Sequence, residues 1–116
     1  MQGAAAGKGL TRILLDECVD ERLRFLFETH DCRSARHAGL AGLTNGQMLI
    51  AAEAAGFEAI VTMDRKMRYQ QNLTVRNIAI LVLAASTNRL ADLTALVPGA
   101  LQALESIAPG QVVTVS

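Results

Sequence analysis

Three acidic residues stand at the ends of two short apolar runs. Ile13-Leu14-Leu15 leads into Asp16-Glu17, and Ala59-Ile60-Val61-Thr62-Met63 leads into Asp64. An apolar run of this length between helical patterns predicts a buried parallel strand. Open parallel sheets bind ligands outside the carboxyl ends of their strands. Asp16, Glu17 and Asp64 are therefore expected at one rim, where clustered carboxylates suit a hard divalent cation, Mg²⁺ or Mn²⁺. Asp16 and Asp64 are the expected ligands. Glu17 is either a further ligand or turned to the other side of the strand end. The same acids also have structural uses. Asp16 and Glu17 would complement the positive end of a following helix. Asp64 would cap the turn that Arg65-Lys66-Met67 opens.

Two further segments border that rim. Residues 65–76 carry Arg65, Lys66, Arg68 and Arg76 with no acid among them, interleaved with Tyr69, Gln70, Gln71 and Asn72. Cations hold phosphates, amides bond bases or sugars, and a tyrosine stacks on a base. Arg65, Arg68, Tyr69, Gln71 and Asn72 are the candidate nucleic-acid contacts; the alternative is a solvated loop. Thr44-Asn45-Gly46-Gln47 fits a helix start, with Thr44 and Gln47 as a capping box or Asn45 as the cap. Asn45 and Gln47 are also placed to reach the site as neutral pocket or metal-shell groups. His30 and His37 carry no catalytic pattern, and Gly39-Leu40-Ala41-Gly42 lacks the strand–turn–helix setting of a dinucleotide fingerprint.

The elements that must position these residues follow from composition and periodicity. The chain has 116 residues, half of them hydrophobic but only 3% aromatic, so Leu, Ile, Val, Ala and Met must build the core of one domain. Formal net charge is zero, which gives no global field towards nucleic acid or membrane. Cys18 and Cys32 have no ligand-like neighbours and read as reduced, mostly buried thiols of a cytoplasmic protein. The longest apolar stretch, residues 78–85, is too short to span a bilayer. Residues 1–9 read as a flexible leader or expression remnant, and residues 10–116 as the domain.

Strands are expected at 12–15, 31–35, 58–63, 78–84 and 112–115. The fourth is the most apolar and so central or most covered, and the last lies at an edge. Helices are expected at 19–29, with Val19, Leu23, Leu26 and Phe27 inward, and at 45–55, with Met48, Leu49, Ala52 and Ala55 inward. Two more follow, over 88–97 and from Pro98 to before Pro109-Gly110. This alternation predicts an α/β fold, a three-layer α/β/α sandwich on a mainly parallel sheet.

One ordered set of short motifs carries a family resemblance. Leu14-Leu15-Asp16-Glu17-Cys18, His30-Asp31, Ala38-Gly39-Leu40, Asn45-Gly46-Gln47-Met48-Leu49, Val61-Thr62-Met63-Asp64 and Tyr69-Gln70-Gln71-Asn72-Leu73 follow one another in a pattern that resembles the small bacterial PIN-like domains. These are similar to the PIN ribonucleases of toxin–antitoxin systems. The resemblance implies a PIN-like sandwich with an Mg²⁺- or Mn²⁺-binding acidic pocket. Asp16 takes the place of the first-strand acid and Asp64 that of the later-strand acid. The helix-two position, usually acidic in the pattern, is Asn45 or Gln47 here, which removes charge from the site.

The resemblance implies a metal-dependent endoribonuclease leaving a 5′-phosphate, of the toxin-like kind that pairs with an antitoxin protein. Asp16, Asp64 and Glu17 would be catalytic and RNA the substrate. A different expectation is a non-catalytic PIN-like module binding nucleic acid or a protein partner. A third is a homodimer-forming subunit joined through the apolar face of the last two helices.

Overall fold

The computed structural model describes residues 11–69 and 73–116. The chain forms an α/β/α sandwich on a five-stranded sheet: β1 (Arg12–Leu15), β2 (Asp31–Ser34), β3 (Ala59–Thr62), β4 (Ala79–Leu83) and β5 (Val112–Val115). All four pairings are parallel and the order is β2-β1-β3-β4-β5. The helices are α1 (Asn45–Ala54), α2 (Leu90–Thr94) and α3 (Val97–Leu104).

Strand alternation sorts the core into two layers. Ile13, Leu15, Ala59, Val61, Leu81 and Leu83 face one side, against Leu23, Phe27, Leu93, Val97, Ala100 and Leu104. Leu14, Ile60, Ile80 and Val82 face the other, against Met48, Leu49 and Ala52 of α1 and against Met67 and Leu73. Both faces are covered, which is why β3 and β4 are apolar at almost every position. The most apolar strand, β4, is fully buried but lies beside the centre, which belongs to β3.

Three helical expectations are corrected. The crossover after β1 is a 3₁₀ helix, Glu21–Phe27, capped by Asp20, whose side chain accepts from the Arg22 N–H. Leu23 and Phe27 of this helix, and Val19 ahead of it, are buried, whereas Leu26 turns outward, 41% exposed. Ala55, expected inward on α1, is instead its exposed C-cap. Gly56 then stops the helix at φ 88°, and a Cβ there would lie 2.6 Å from Arg12 Nη1. The expected helix over 88–97 ends early at Thr94, because Pro98 cannot donate back to Thr94 and starts α3 instead.

The apolar face of α2 and α3, expected to serve a dimer, is spent on the sheet: Leu93, Val97, Ala100 and Leu104 are all in the core. No helix among the described residues is long and apolar enough to cross a membrane. From β1 the chain steps out to β2, crosses back through α1 to β3, and then proceeds outward through β4 to β5. The direction of winding therefore reverses between β1 and β3, the place where doubly wound sheets open a ligand crevice.

Candidate metal-binding rim

Asp16 ends β1 and Asp64 follows β3, so both expected acids sit at the reversal point, each half-buried. One buried hydroxyl joins them. Thr62 Oγ1 donates to Asp16 Oδ2 at 2.7 Å and accepts the Asp64 N–H at 2.9 Å. Thr62 is fully buried, and its only proton is committed to Asp16. The Asp16 N–H in turn donates to the Val61 carbonyl at 2.9 Å, which prolongs the β1–β3 ladder to the acid itself.

Asp64 is also the cap of the turn after β3. Its Oδ1 accepts the Lys66 N–H at 2.9 Å, and its Oδ2 accepts Asn45 Nδ2 at 2.9 Å. These contacts hold its carboxyl below the usual aspartate value; the Asn45 amide acts most strongly, then the Lys66 N–H, against the opposing effect of burial. The structural and site readings of Asp64 thus coincide in one side chain.

The neighbouring candidates divide. Asn45, the first residue of α1, points at Asp64, so it is the helix-two group that reaches the rim. Gln47 does not: its Oε1 accepts the Thr44 N–H at 3.0 Å while its own N–H donates to Thr44 Oγ1 at 3.3 Å, the reciprocal capping box. Glu17 is exposed and turned aside, its Oε1 accepting the Gly42 N–H at 2.7 Å and tying down the loop before α1. Arg65 and Lys66 are exposed beside Asp64. Arg68 and Tyr69 lie in the 3₁₀ helix Arg65–Tyr69. Gln70, Gln71 and Asn72 fall outside the described residues.

Two groups of the rim escape sequence reasoning. Thr62 reads as one more member of an apolar strand; a hydroxyl at the last position of a buried run is the signal that marks it. Cys18 lies across the same carboxylate, with Sγ 3.5 Å from Asp16 Oδ2 and 3.6 Å from Thr62 Oγ1, and it accepts the Met63 N–H at 3.4 Å. Cys18 is exposed rather than buried as expected; desolvation of its sulfur against the rim, with the Asp16 charge, still raises its pKa, so the thiol stays protonated. Burial pushes Cys32 up to about 12. Both thiols are free. His30 serves the fold, its Nδ1 accepting the Thr11 N–H at 3.0 Å.

Beside the Asp16 carboxylate a cavity of about 280 Å³ opens between the ends of β1 and β2. Glu17, Asp20, Glu21, Ser34 and Arg36 are among its walls. Asp20 is committed to Arg22, whose side chain and N–H hold its carboxyl down to about 2.

Among the described residues no three His, Cys, Asp or Glu side chains form a metal-holding group. That donor set does not make an all-protein cage. Two half-buried carboxylates offer a hard divalent cation two oxygen ligands at most, the rest of its shell remaining water. Asp16 and Asp64 are the residues that would hold it. Comparison with known proteins finds no matching family model, no matching curated protein and no matching solved structure.

Proposed function

We propose that the chain is a PIN-like domain that cleaves RNA phosphodiesters at the Asp16–Asp64 rim with Mg²⁺ or Mn²⁺. The observation that carries this reading is the Thr62 hydroxyl, which holds the Asp16 carboxylate and the Asp64 main chain together at the winding reversal, while Asn45 and the Lys66 N–H hold the Asp64 carboxylate. A divalent cation held there supplies Lewis-acid stabilisation of phosphate charge and a nucleophile at neutral pH. The protein's part is positioning. Thr62 orients Asp16, and Asn45 with the Lys66 N–H orients Asp64. Arg65 and Lys66 offer cations for the phosphates on either side.

One observation favours a second reading, a PIN-like module that binds without turnover. The helix-two contact to Asp64 comes from the neutral Asn45, and the acid nearest in sequence, Glu17, is engaged with Gly42. The rim then has two carboxylates where the family pattern expects more.

The deciding experiment is cleavage of mixed single-stranded RNA in Mn²⁺ by wild type, Asp64→Asn and Asn45→Asp. Cutting by wild type and its loss in Asp64→Asn, with unchanged circular dichroism, would support the ribonuclease. An inert wild type with an active Asn45→Asp would identify the binding module on a nuclease scaffold. Equal cutting by wild type and Asp64→Asn would remove the rim from the reaction.

A further inference from the structure

The two edges of the sheet are built differently. At β2, Asp31 pairs with both Arg12 and Arg33 at 3.3 Å, and the Ser34 carbonyl is taken by the Ala38 N–H at 3.0 Å. Charged side chains on an edge and a loop that takes its carbonyls are the usual means of blocking edge-to-edge association. β5 has neither. Its four residues, Val112-Val113-Thr114-Val115, carry no charge and no proline and have high strand propensity.

The hydrogen-bond direction along β5 follows from its ladder. The Gln111 carbonyl accepts from Ile80 N–H at 2.9 Å, and the Val115 carbonyl from Ala84 N–H at 2.8 Å. With a period of two, residues 111, 113 and 115 turn their main-chain groups to β4, so Val112 and Thr114 turn theirs outward. Among the described residues nothing bonds these N–H and C=O groups. They form an open row at the sheet edge.

We infer that β5 is a self-association edge, on which a second copy of this chain adds its own β5 antiparallel to the first. Only this arrangement uses the row completely under a closed two-fold. With the axis at Val113, Val112 of one protomer faces Thr114 of its partner, and each such pair exchanges two hydrogen bonds. All outward groups of both strands are then paired. The two Val113 side chains meet across the axis in the closer, non-hydrogen-bonded position, on the layer where Val113 already packs against the core. No charge of either strand is brought against its like, and the formal net charge of zero puts no long-range repulsion between copies. A partner strand with acidic or basic side chains would find no counter-charge on this edge.

Thr114 gives the test because its side chain is exposed and its N–H faces away from β4. Thr114→Pro deletes an outward donor without touching the β4 ladder, the one place a sheet tolerates proline. Thr114→Lys adds a charge to the edge and keeps the donor. Sedimentation velocity is run on the full chain from micromolar to near-millimolar concentration. The expected result is a wild type whose mass doubles across that range, with both variants monomeric throughout and unchanged in circular dichroism. A wild type that stays monomeric overturns the inference and leaves the edge to another kind of strand. A dimer that persists in both variants overturns it too, by placing the interface elsewhere. If Thr114→Pro unfolds, Thr114→Lys decides alone.

Discussion

Asn45 lowers the Asp64 carboxyl pKa by a single contact. Its amide is the strongest of the influences that lower the Asp64 carboxyl. A carboxyl lowered by folding stabilises the native state above its unfolded pKa and ceases to do so as pH falls through its folded value. Asn45→Ala removes the donor, so the Asp64 pKa should move back up towards 3.8. The stability gap between wild type and variant should then be present at neutral pH and close as pH falls below that value. Carbon-detected NMR titration of the Asp64 carboxyl, with urea unfolding across the same pH range, measures both. An unmoved Asp64 titration would mean that the amide contact contributes nothing in solution. Asp16 and Asp64 were legible in the sequence because each is an acid placed directly after an apolar run. The choice between Asn45 and Gln47 was not, since Thr44-Asn45-Gly46-Gln47 satisfies a capping box and a site position equally well. Only the direction of the α1 start separates them. Thr62 was hidden because a buried hydroxyl at a strand end looks like strand in any window.

At the scale of elements, α1 depends on its first turn. Its core face is small, Met48, Leu49 and Ala52, so the capping box carries a real share of its local stability. Thr44→Ala leaves the Gln47 N–H without its acceptor and should cost about 1 kcal/mol in urea unfolding. Gln47→Glu keeps both arms of the box. It should therefore leave stability and Mn²⁺ affinity as they are, whereas a shell position would gain affinity from the new charge; isothermal titration with Mn²⁺ separates the two. β1, β3, β4 and β5, and the parallel sheet they build, were readable from apolar runs bounded by turns; β2, Asp31-Cys32-Arg33-Ser34, has no such run and carries only a weak signal. The helices were less so. The 19–29 pattern places Val19, Leu23, Leu26 and Phe27 on one helical face, and nothing in those residues marks the 3₁₀ winding over Glu21–Phe27 or the outward turn of Leu26. The end of α2 at Thr94 was set from outside, by a proline four residues on. Strand order is a property of crossovers, so the most apolar strand, expected to be central or most covered, is fully buried yet lies one step from the centre.

Taken whole, the molecule joins an uncharged total to uneven local charge, and this bears on the proposed RNA contact. A net charge of zero gives no field to gather a polyanion at a distance, and the cavity beside Asp16 presents Glu17, Asp20 and Glu21 to Arg36 alone among cations. RNA binding would then rest on short-range contacts beside Asp64, with Arg65 and Lys66 the exposed cations there. For a single strand the logarithm of affinity falls with the logarithm of salt by roughly 0.7 per neutralised phosphate. If Arg65 and Lys66 each hold one phosphate, the double variant Arg65→Ala/Lys66→Ala should lower that slope by about 1.4 and weaken binding uniformly across sequences. Fluorescence anisotropy of labelled single-stranded RNA over a salt series, in chelator to suppress turnover, reads the slope directly. An unchanged slope in the double variant would remove these two cations from the RNA path. The acidic wall should act in the opposite sense. Glu21→Gln removes one repelling charge at the cavity mouth without touching the rim, and a strand that passes the cavity should bind it more tightly at low salt, with the gain fading as screening shortens the reach of that charge. A strand that runs instead from Asp64 towards α1 would show no such gain, so the pair of slopes gives the direction in which RNA crosses the sheet.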